Sequence, residues 1–171
     1  MLIRPARITD ERALQDLLYG LSNDSIYRRF LCFKKRHPHE EVQELVNPDY
    51  EQNMALVACV PGTDEVVAVV RYDVVPSTGL GDVAFVVRDD WQGKGVGTAL
   101  MKRIREAAQA RGLPGFQADV LVTNKPMLDV FHESGLTVQA RLEGSSYHLE
   151  LLFPGSEASR QAALPTGAVH A

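Results

Sequence analysis

The sequence has few of the features that mark secreted, membrane-bound or metal-binding proteins. Its 171 residues include only two cysteines, Cys32 and Cys59, which lie far apart and have no Cys or His at metal-ligand spacing. Both have apolar neighbours, so we expect buried thiols. No run approaches the ~18 apolar residues that a membrane span needs, and the N-terminus lacks the basic-then-apolar build of a signal peptide. We therefore expect a cytoplasmic protein that binds no metal and no membrane.

Positive charge is also scarce. Lys and Arg number 18 against 22 Asp and Glu, which gives a formal net charge of −4. This balance argues against nucleic-acid binding, which needs clustered Lys and Arg. The basic run from Lys34 to His37 is expected to be a solvated connection. Hydrophobic residues make up 45% of the chain, which is enough to build the core of one globular domain.

Apolar periodicity divides the chain into helices and strands. We predict a first helix capped by Thr9 or Asp10, whose apolar positions run from Ala13 to Leu21, and further helices over residues 39–46, 98–110 and 126–134, with a connection over residues 22–33. Apolar segments separated by turns predict strands over residues 2–6, 54–60, 66–75, 83–88, 116–122, 136–141 and 147–153. The strands over 54–60, 66–75 and 83–88 are expected to form an antiparallel meander, and the last two strands to close the sheet as a pair. The order favours an α/β (α+β) fold, in which about four helices flank a mixed, mostly antiparallel sheet of six to seven strands. Residues 154–171 offer little to bury and are predicted to form a disordered tail.

A glycine-rich segment leads from the third strand of the meander directly into a helix: Gln92-Gly93-Lys94-Gly95-Val96-Gly97. Glycines let backbone N–H groups approach a ligand closely, and the first N–H groups of a helix have no partner within it. Such a loop favours a phosphate group, although a tight strand-to-helix turn also uses glycines. Lys94 is followed by Gly95, without the Ser or Thr of a P-loop. The loop follows three β segments, whereas a Rossmann loop opens its fold.

This segment resembles the cofactor loop of GNAT acetyltransferases, Gln/Arg-x-x-Gly-x-Gly/Ala. The stretch from Val120 to Asn124, followed by Met127, Phe131 and Gly135, is similar to the second cofactor segment of that family. Residues 21–30, 49–50 and 54–58 further resemble the acetyltransferase domain of bacterial protein lysine acetyltransferases. The resemblance covers residues 1–153, which implies one GNAT domain.

The resemblance implies acetyl-CoA as co-substrate and direct transfer to an amine in a ternary complex. It further implies that the pantetheine arm pairs with the backbone of one strand and contacts Asn124 from the neighbouring strand. The residues implied on the pairing strand are Phe85, Val86 and Val87. The backbone amides implied to hold the pyrophosphate are those of Gln92, Gly93, Lys94, Gly95, Val96, Gly97 and Thr98.

Proton transfer needs a separate group. A lysine amine has a reference pKa of about 10.4, so its attack on a thioester requires a base. The resemblance implies a Glu at the start of the strand before the loop, where this sequence has Asp82. Asp82 is therefore the candidate base, acting through a bridging water; alternatively, it bonds its own turn. The resemblance implies a Tyr that acts as general acid for the departing thiolate at the position of Phe131. Phe131 cannot donate a proton.

We therefore expect an acetyl-CoA-dependent N-acetyltransferase that acts on a protein lysine, such as that of an acyl-CoA synthetase, as a monomer or dimer. A small-molecule amine acetyltransferase is the alternative within this class. A non-catalytic acyl-CoA sensor is the alternative outside it, and the loop spacing disfavours a nucleotide-binding switch. The segment from Tyr27 to Phe30 is expected to shape the acceptor groove, again by resemblance.

Overall fold

A computed structural model describes residues 1–30 and 38–157. Cys32, the basic run from Lys34 to His37 and residues 158–171 of the predicted tail lie outside the described residues. The described part contains seven strands and five α-helices. In chain order they are β1 Leu2–Pro5, α1 Glu11–Tyr19, α2 Asn23–Phe30, α3 Pro38–Val46, β2 Asn53–Cys59, β3 Val66–Val74, β4 Gly81–Val87, α4 Val96–Ala110, β5 Gly115–Leu121, α5 Lys125–His132, β6 Thr137–Glu143 and β7 Ser146–Leu152.

The strands form one mixed sheet in the order β1-β2-β3-β4-β5-β7-β6. The predicted antiparallel meander is confirmed as β2-β3-β4, and β6 and β7 form the predicted closing pair. The parallel neighbours β4 and β5 are in register only at Gly81↔Phe116 and Asp82↔Gln117. Because β4 continues for five residues beyond this pair and β5 for four, the two strands diverge beyond Asp82 and open the sheet.

Helices cover both faces of the sheet, and the alternation of side chains along β2 shows the division. Met54, Leu56 and Ala58 belong to the core that α4 and α5 complete. Ala55, Val57 and Cys59 face the second core, built with α1 and α3. A strand buried on both faces has a continuous apolar sequence, as this one does. Cys59 is a buried free thiol, as expected for it.

Helix α2 corrects the predicted connection over residues 22–33. Residues Asn23–Phe30 form a helix with no buried residue, so the apolar periodicity that predicts a packed helix is missing. Polar contacts stabilise it instead: Ser22 Oγ accepts a hydrogen bond from the Ser25 amide at 3.2 Å, and Asp24 pairs with Arg28 at 2.8 Å across one turn. Local capping and ion pairing thus supplement the one recorded apolar contact of α2 with the second core, that of the partly buried Ile26.

No helix within the described ranges is both long enough and apolar enough to cross a membrane.

Candidate active site

A cleft of about 720 Å³ lies where β4 and β5 diverge. The strands themselves form part of its wall, with Ala84 to Val87 on one side and Ala118 to Val120 on the other. Helix α2, the loop before α4 and helix α5 supply the rest of the lining. The cleft thus joins the glycine-rich loop to the first residues of β4, although they are separated along the chain.

The divergence leaves one edge of β4 without a strand partner. On the other edge, Phe85, Val86 and Val87 pair with β3, opposite Val70, Val69 and Ala68. Backbone N–H and C=O groups of a strand point alternately to its two edges. The edge of β4 that faces the cleft therefore offers hydrogen-bonding groups to an extended ligand. All three residues line the cleft.

The glycines of the loop have two different structural roles. Gly93 and Gly95 have φ angles of 70° and 77°, in the left-handed region that side chains disfavour. Gly97 has no positive φ, but a Cβ there would lie 3.4 Å from a methyl carbon of Val130. A side chain there would only just reach contact distance, so Gly97 lies where α4 and α5 pack against each other at the cleft.

The loop delivers the N-terminus of α4 to the cleft. Helix α4 begins at Val96, and Gly95 before it supplies no side-chain cap. The first amides of the helix consequently face the cleft with the positive end of the helix dipole, an arrangement that suits a phosphate group. The predicted residues that line the cleft here are Gln92, Gly93, Gly95, Val96, Gly97 and Thr98. Lys94 instead holds its ammonium 5.3 Å from the centre of the Trp91 ring.

The side chain of Gln92 has a structural role that the loop motif does not reveal. Its amide nitrogen donates to the Val87 carbonyl at 3.0 Å and to Ser25 Oγ at 3.0 Å. Ser25 in turn donates to Asp89 at 2.8 Å. Gln92 therefore ties the end of β4 to helix α2, and so fixes the loop relative to the opposite wall of the cleft.

Asp82 lies at the vertex of the opening, on the last residue pair that β4 shares with β5. Its side chain is exposed to the cleft, yet the surrounding protein removes part of its hydration. This desolvation raises the pKa of Asp82 above its ordinary value, and the negative charges of Asp119 and Asp73 raise it further. The positive charge of Arg29 and a hydrogen bond with Gln117 act in the opposite direction. A carboxylate with a raised pKa is better suited to accept a proton near neutral pH.

Phe131 and Asn124 both line the cleft from the α5 side. Phe131 is 1% exposed, and its ring packs edge-to-face against Phe85 with 5.9 Å between ring centres. Asn124 precedes α5, and its Oδ1 accepts a hydrogen bond from the Met127 amide at 3.4 Å. Phe131 therefore contributes an apolar surface, and part of the polar capacity of Asn124 serves the helix cap.

Residues from α2 complete the cleft. Arg28, Arg29 and Phe30 line it, in the segment expected to shape the acceptor groove. Sequence reasoning missed Ser25 and Asp119, which line it as well. The sequence marks neither residue as part of a site, because a serine in a polar helix and an aspartate alternating with apolar residues are both common on protein surfaces. Among residues 1–30 and 38–157, no group of three or more His, Cys, Asp or Glu is arranged to hold a metal ion.

Comparison with known proteins gives matches over most of the chain. Residues 23–136 match the Acetyltransferase (GNAT) family. The acetyltransferase PA5475 of Pseudomonas aeruginosa is 30% identical over 132 residues, which cover 76% of this chain and 71% of that protein. The crystal structure of the GNAT domain of S. lividans PAT superposes with a TM-score of 0.80, at 31% identity, covering 88% of this chain and 89% of that one.

The acetyltransferase Pat of Mycolicibacterium smegmatis is 31% identical over 116 residues, or 67% of this chain. The match spans only 34% of the length of Pat. The similarity therefore concerns one part of that longer protein.

Proposed function

The chain belongs to the GNAT family of acetyltransferases, and from this premise we propose that it transfers the acetyl group of acetyl-CoA to a protein lysine ε-amine. The observation that carries the proposal is the continuous cleft between β4 and β5, with the glycine-rich loop on one side and Asp82 at its vertex. The resemblance of residues 21–30, 49–50 and 54–58 to bacterial protein lysine acetyltransferases supports a protein acceptor over a free amine.

Acetyl-CoA would occupy the cleft in an extended form. The amides from Gln92 to Thr98 would bind the pyrophosphate, since they combine positive φ angles at Gly93 and Gly95 with the start of a helix. The pantetheine arm would pair with the open edge of β4 at Phe85, Val86 and Val87. This pairing would direct the thioester along β4 towards Asp82.

Asp82 would act as the base. The lysine arrives as an ammonium, and one of its protons passes to the Asp82 carboxylate directly or through water. The freed nitrogen lone pair attacks the thioester carbonyl carbon, forming the C–N bond. The C–S bond then breaks and its electron pair leaves on sulfur as the CoA thiolate. The raised pKa of Asp82 supports this assignment, because a stronger base captures the ammonium proton more readily.

Phe131 of α5 would not protonate the departing thiolate. Phe131 has no proton to give and its ring is packed against Phe85. A thiolate is a tolerable leaving group at neutral pH, since thiols have pKa values of about 8.5. The proton that the new amide nitrogen releases is sufficient to neutralise it through solvent.

The test is thiol release from acetyl-CoA by the purified protein, with acyl-CoA synthetases and small amines offered as acceptors. We expect a labelled lysine on a protein acceptor. Asp82→Ala should lower turnover by about 100-fold or more, while Asp82→Glu, which keeps the carboxylate, should retain turnover. Asp82→Asn keeps the shape of the side chain but removes its charge, and its turnover should fall as far as that of Asp82→Ala.

Other outcomes would replace the proposal. Saturable turnover of polyamines or amino acids without protein labelling would make the chain a small-molecule acetyltransferase. Acetyl-CoA binding without thiol release on any acceptor would favour the sensor. Asp82→Ala turnover equal to that of the parent protein from pH 6 to 9 would remove Asp82 from the mechanism.

A further inference from the structure

We propose that Asp119 and His148 form a carboxylate–imidazole pair that positions charge beside Asp82 and thereby sets how readily Asp82 accepts a proton as the base. The proposal rests on the function proposed for Asp82 and adds two positioning residues to it. Neither residue needs to touch the substrate for this role.

The geometry of the sheet brings the pair to the same face as Asp82. Asp82 lies directly opposite Gln117 in the parallel β4–β5 pair, and paired side chains share a face. Asp119 is two residues further along β5, so it points to that face as well. Asp119 also lines the cleft.

His148 is held against Asp119 by the neighbouring strand. The two residues lie opposite each other in the antiparallel β5–β7 pair, and His148 Nδ1 is 2.9 Å from Asp119 Oδ1. The imidazole side chain is 22% exposed and the carboxylate side chain is 53% exposed. At this length the imidazole is the hydrogen-bond partner of the Asp119 carboxylate, and an imidazolium in this place offsets the carboxylate charge.

Several other charged groups around the pair are already engaged. Asp73 of β3 lies opposite Asp82 and forms an ion pair with Arg71. Arg29 of α2 pairs with Glu41 at 3.2 Å. Arg141 of β6, which lies opposite His148, binds Glu143 at 2.7 Å. Glu150 of β7 lies opposite Gln117 and so shares this face. Asp119 is distinguished from these carboxylates by its described contact with an imidazole, His148.

Two substitutions should shift the pKa of Asp82 in opposite directions. Asp119→Asn removes a negative charge, which should lower the pKa of Asp82. His148→Gln leaves the charge of Asp119 without an imidazolium partner, which should raise the pKa of Asp82. The double variant should behave like Asp119→Asn, since His148 acts through Asp119.

The experiment is a carbon-13 NMR titration of the aspartate side-chain carboxyls in the full chain without ligand. The Asp82 signal is identified as the one that disappears in Asp82→Asn. The pH profile of kcat/KM is recorded in parallel, and the weaker base of Asp119→Asn should lower its alkaline plateau by about two- to fivefold. Asp129→Asn is the matched control, because Asp129 lines the same cleft from α5. It should leave the Asp82 midpoint unchanged.

An Asp82 midpoint that is the same in Asp119→Asn as in the parent protein overturns the proposal. Shifts of the same sign in Asp119→Asn and His148→Gln overturn it too. The NMR midpoint does not depend on turnover, so failure of this pair is distinguishable from failure of the acetyltransferase proposal, which Asp82→Asn tests by itself.

Discussion

Ser25 of α2 and Asp89 after β4 are joined by a 2.8 Å hydrogen bond between positions 64 residues apart in the sequence. Asp89 also accepts hydrogen bonds from the Ser22 hydroxyl at 2.6 Å and the Ser22 amide at 3.1 Å. These contacts lower the pKa of Asp89, against the effect of desolvation, which is the largest single influence and raises it. The ionised carboxylate therefore anchors the start of α2 beside the glycine-rich loop.

Ser25→Ala should weaken acetyl-CoA binding, because Gln92 loses its contact with α2 and the loop is less well fixed. We expect the KM for acetyl-CoA to rise by roughly three- to tenfold, which corresponds to one modest hydrogen bond. Ser22→Ala is the control. It removes a bond to Asp89 and the cap of α2, costing about 1 kcal/mol of stability, but leaves the Gln92 contact in place. A larger KM effect in Ser22→Ala than in Ser25→Ala would contradict this role for Ser25.

Gly95→Ala should reduce both stability and cofactor affinity. Its φ of 77° suits glycine, and alanine there costs about 1 kcal/mol in backbone strain. Gly62, in the turn between β2 and β3, has a φ of 78°, and an added Cβ at either glycine meets nothing within 4 Å. Gly62→Ala therefore matches the strain at a distance from the cleft. Calorimetric titration with CoA should detect weaker binding in Gly95→Ala alone; equal binding in both variants would argue against a pyrophosphate site.

Asp82→Asn should stabilise the fold at neutral pH while reducing turnover. The pKa of Asp82 is raised in the folded protein, so its ionisation is less favourable there than in the unfolded chain, and the charge destabilises the fold above that pKa. As pH falls through the raised pKa towards the ordinary aspartate pKa of about 3.9, the folded carboxyl becomes protonated and the advantage of Asn shrinks. Urea unfolding from pH 7 down to pH 4 measures this trend. A difference independent of pH would show that the substitution acts through packing.

Phe131→Ala should destabilise the protein by about 3–5 kcal/mol, the usual cost of deleting a buried phenyl ring. The ring is 1% exposed and contacts Phe85 on β4, so the cavity would open beside the cleft. Leu142→Ala, at a side chain that is 61% exposed, should change the free energy of unfolding by less than about 0.5 kcal/mol. Similar denaturation midpoints for the two variants would mean that the α5 side of the cleft collapses around the missing ring.

Much of the fold follows from local patterns in the sequence. Apolar runs between turn residues are sufficient to predict β2, β3 and β4, and helical spacing predicts α4. Helix α2 escapes this reasoning because its stability comes from Ser22, Asp24 and Arg28 rather than from an apolar face. The contact between Asp119 and His148 also escapes it, since the two residues meet only after β7 inserts between β5 and β6.

The glycine loop, the helix that follows it and an acidic residue at the start of β4 can all be predicted from the amino-acid sequence, because backbone freedom and residue chemistry are local properties. The separation of β4 and β5 after the Asp82↔Gln117 pair becomes visible only in the folded sheet. That separation is a matter of pairing between residues distant in the sequence, so no pattern within either strand predicts it. The opening is what joins the loop and the carboxylate in one cleft.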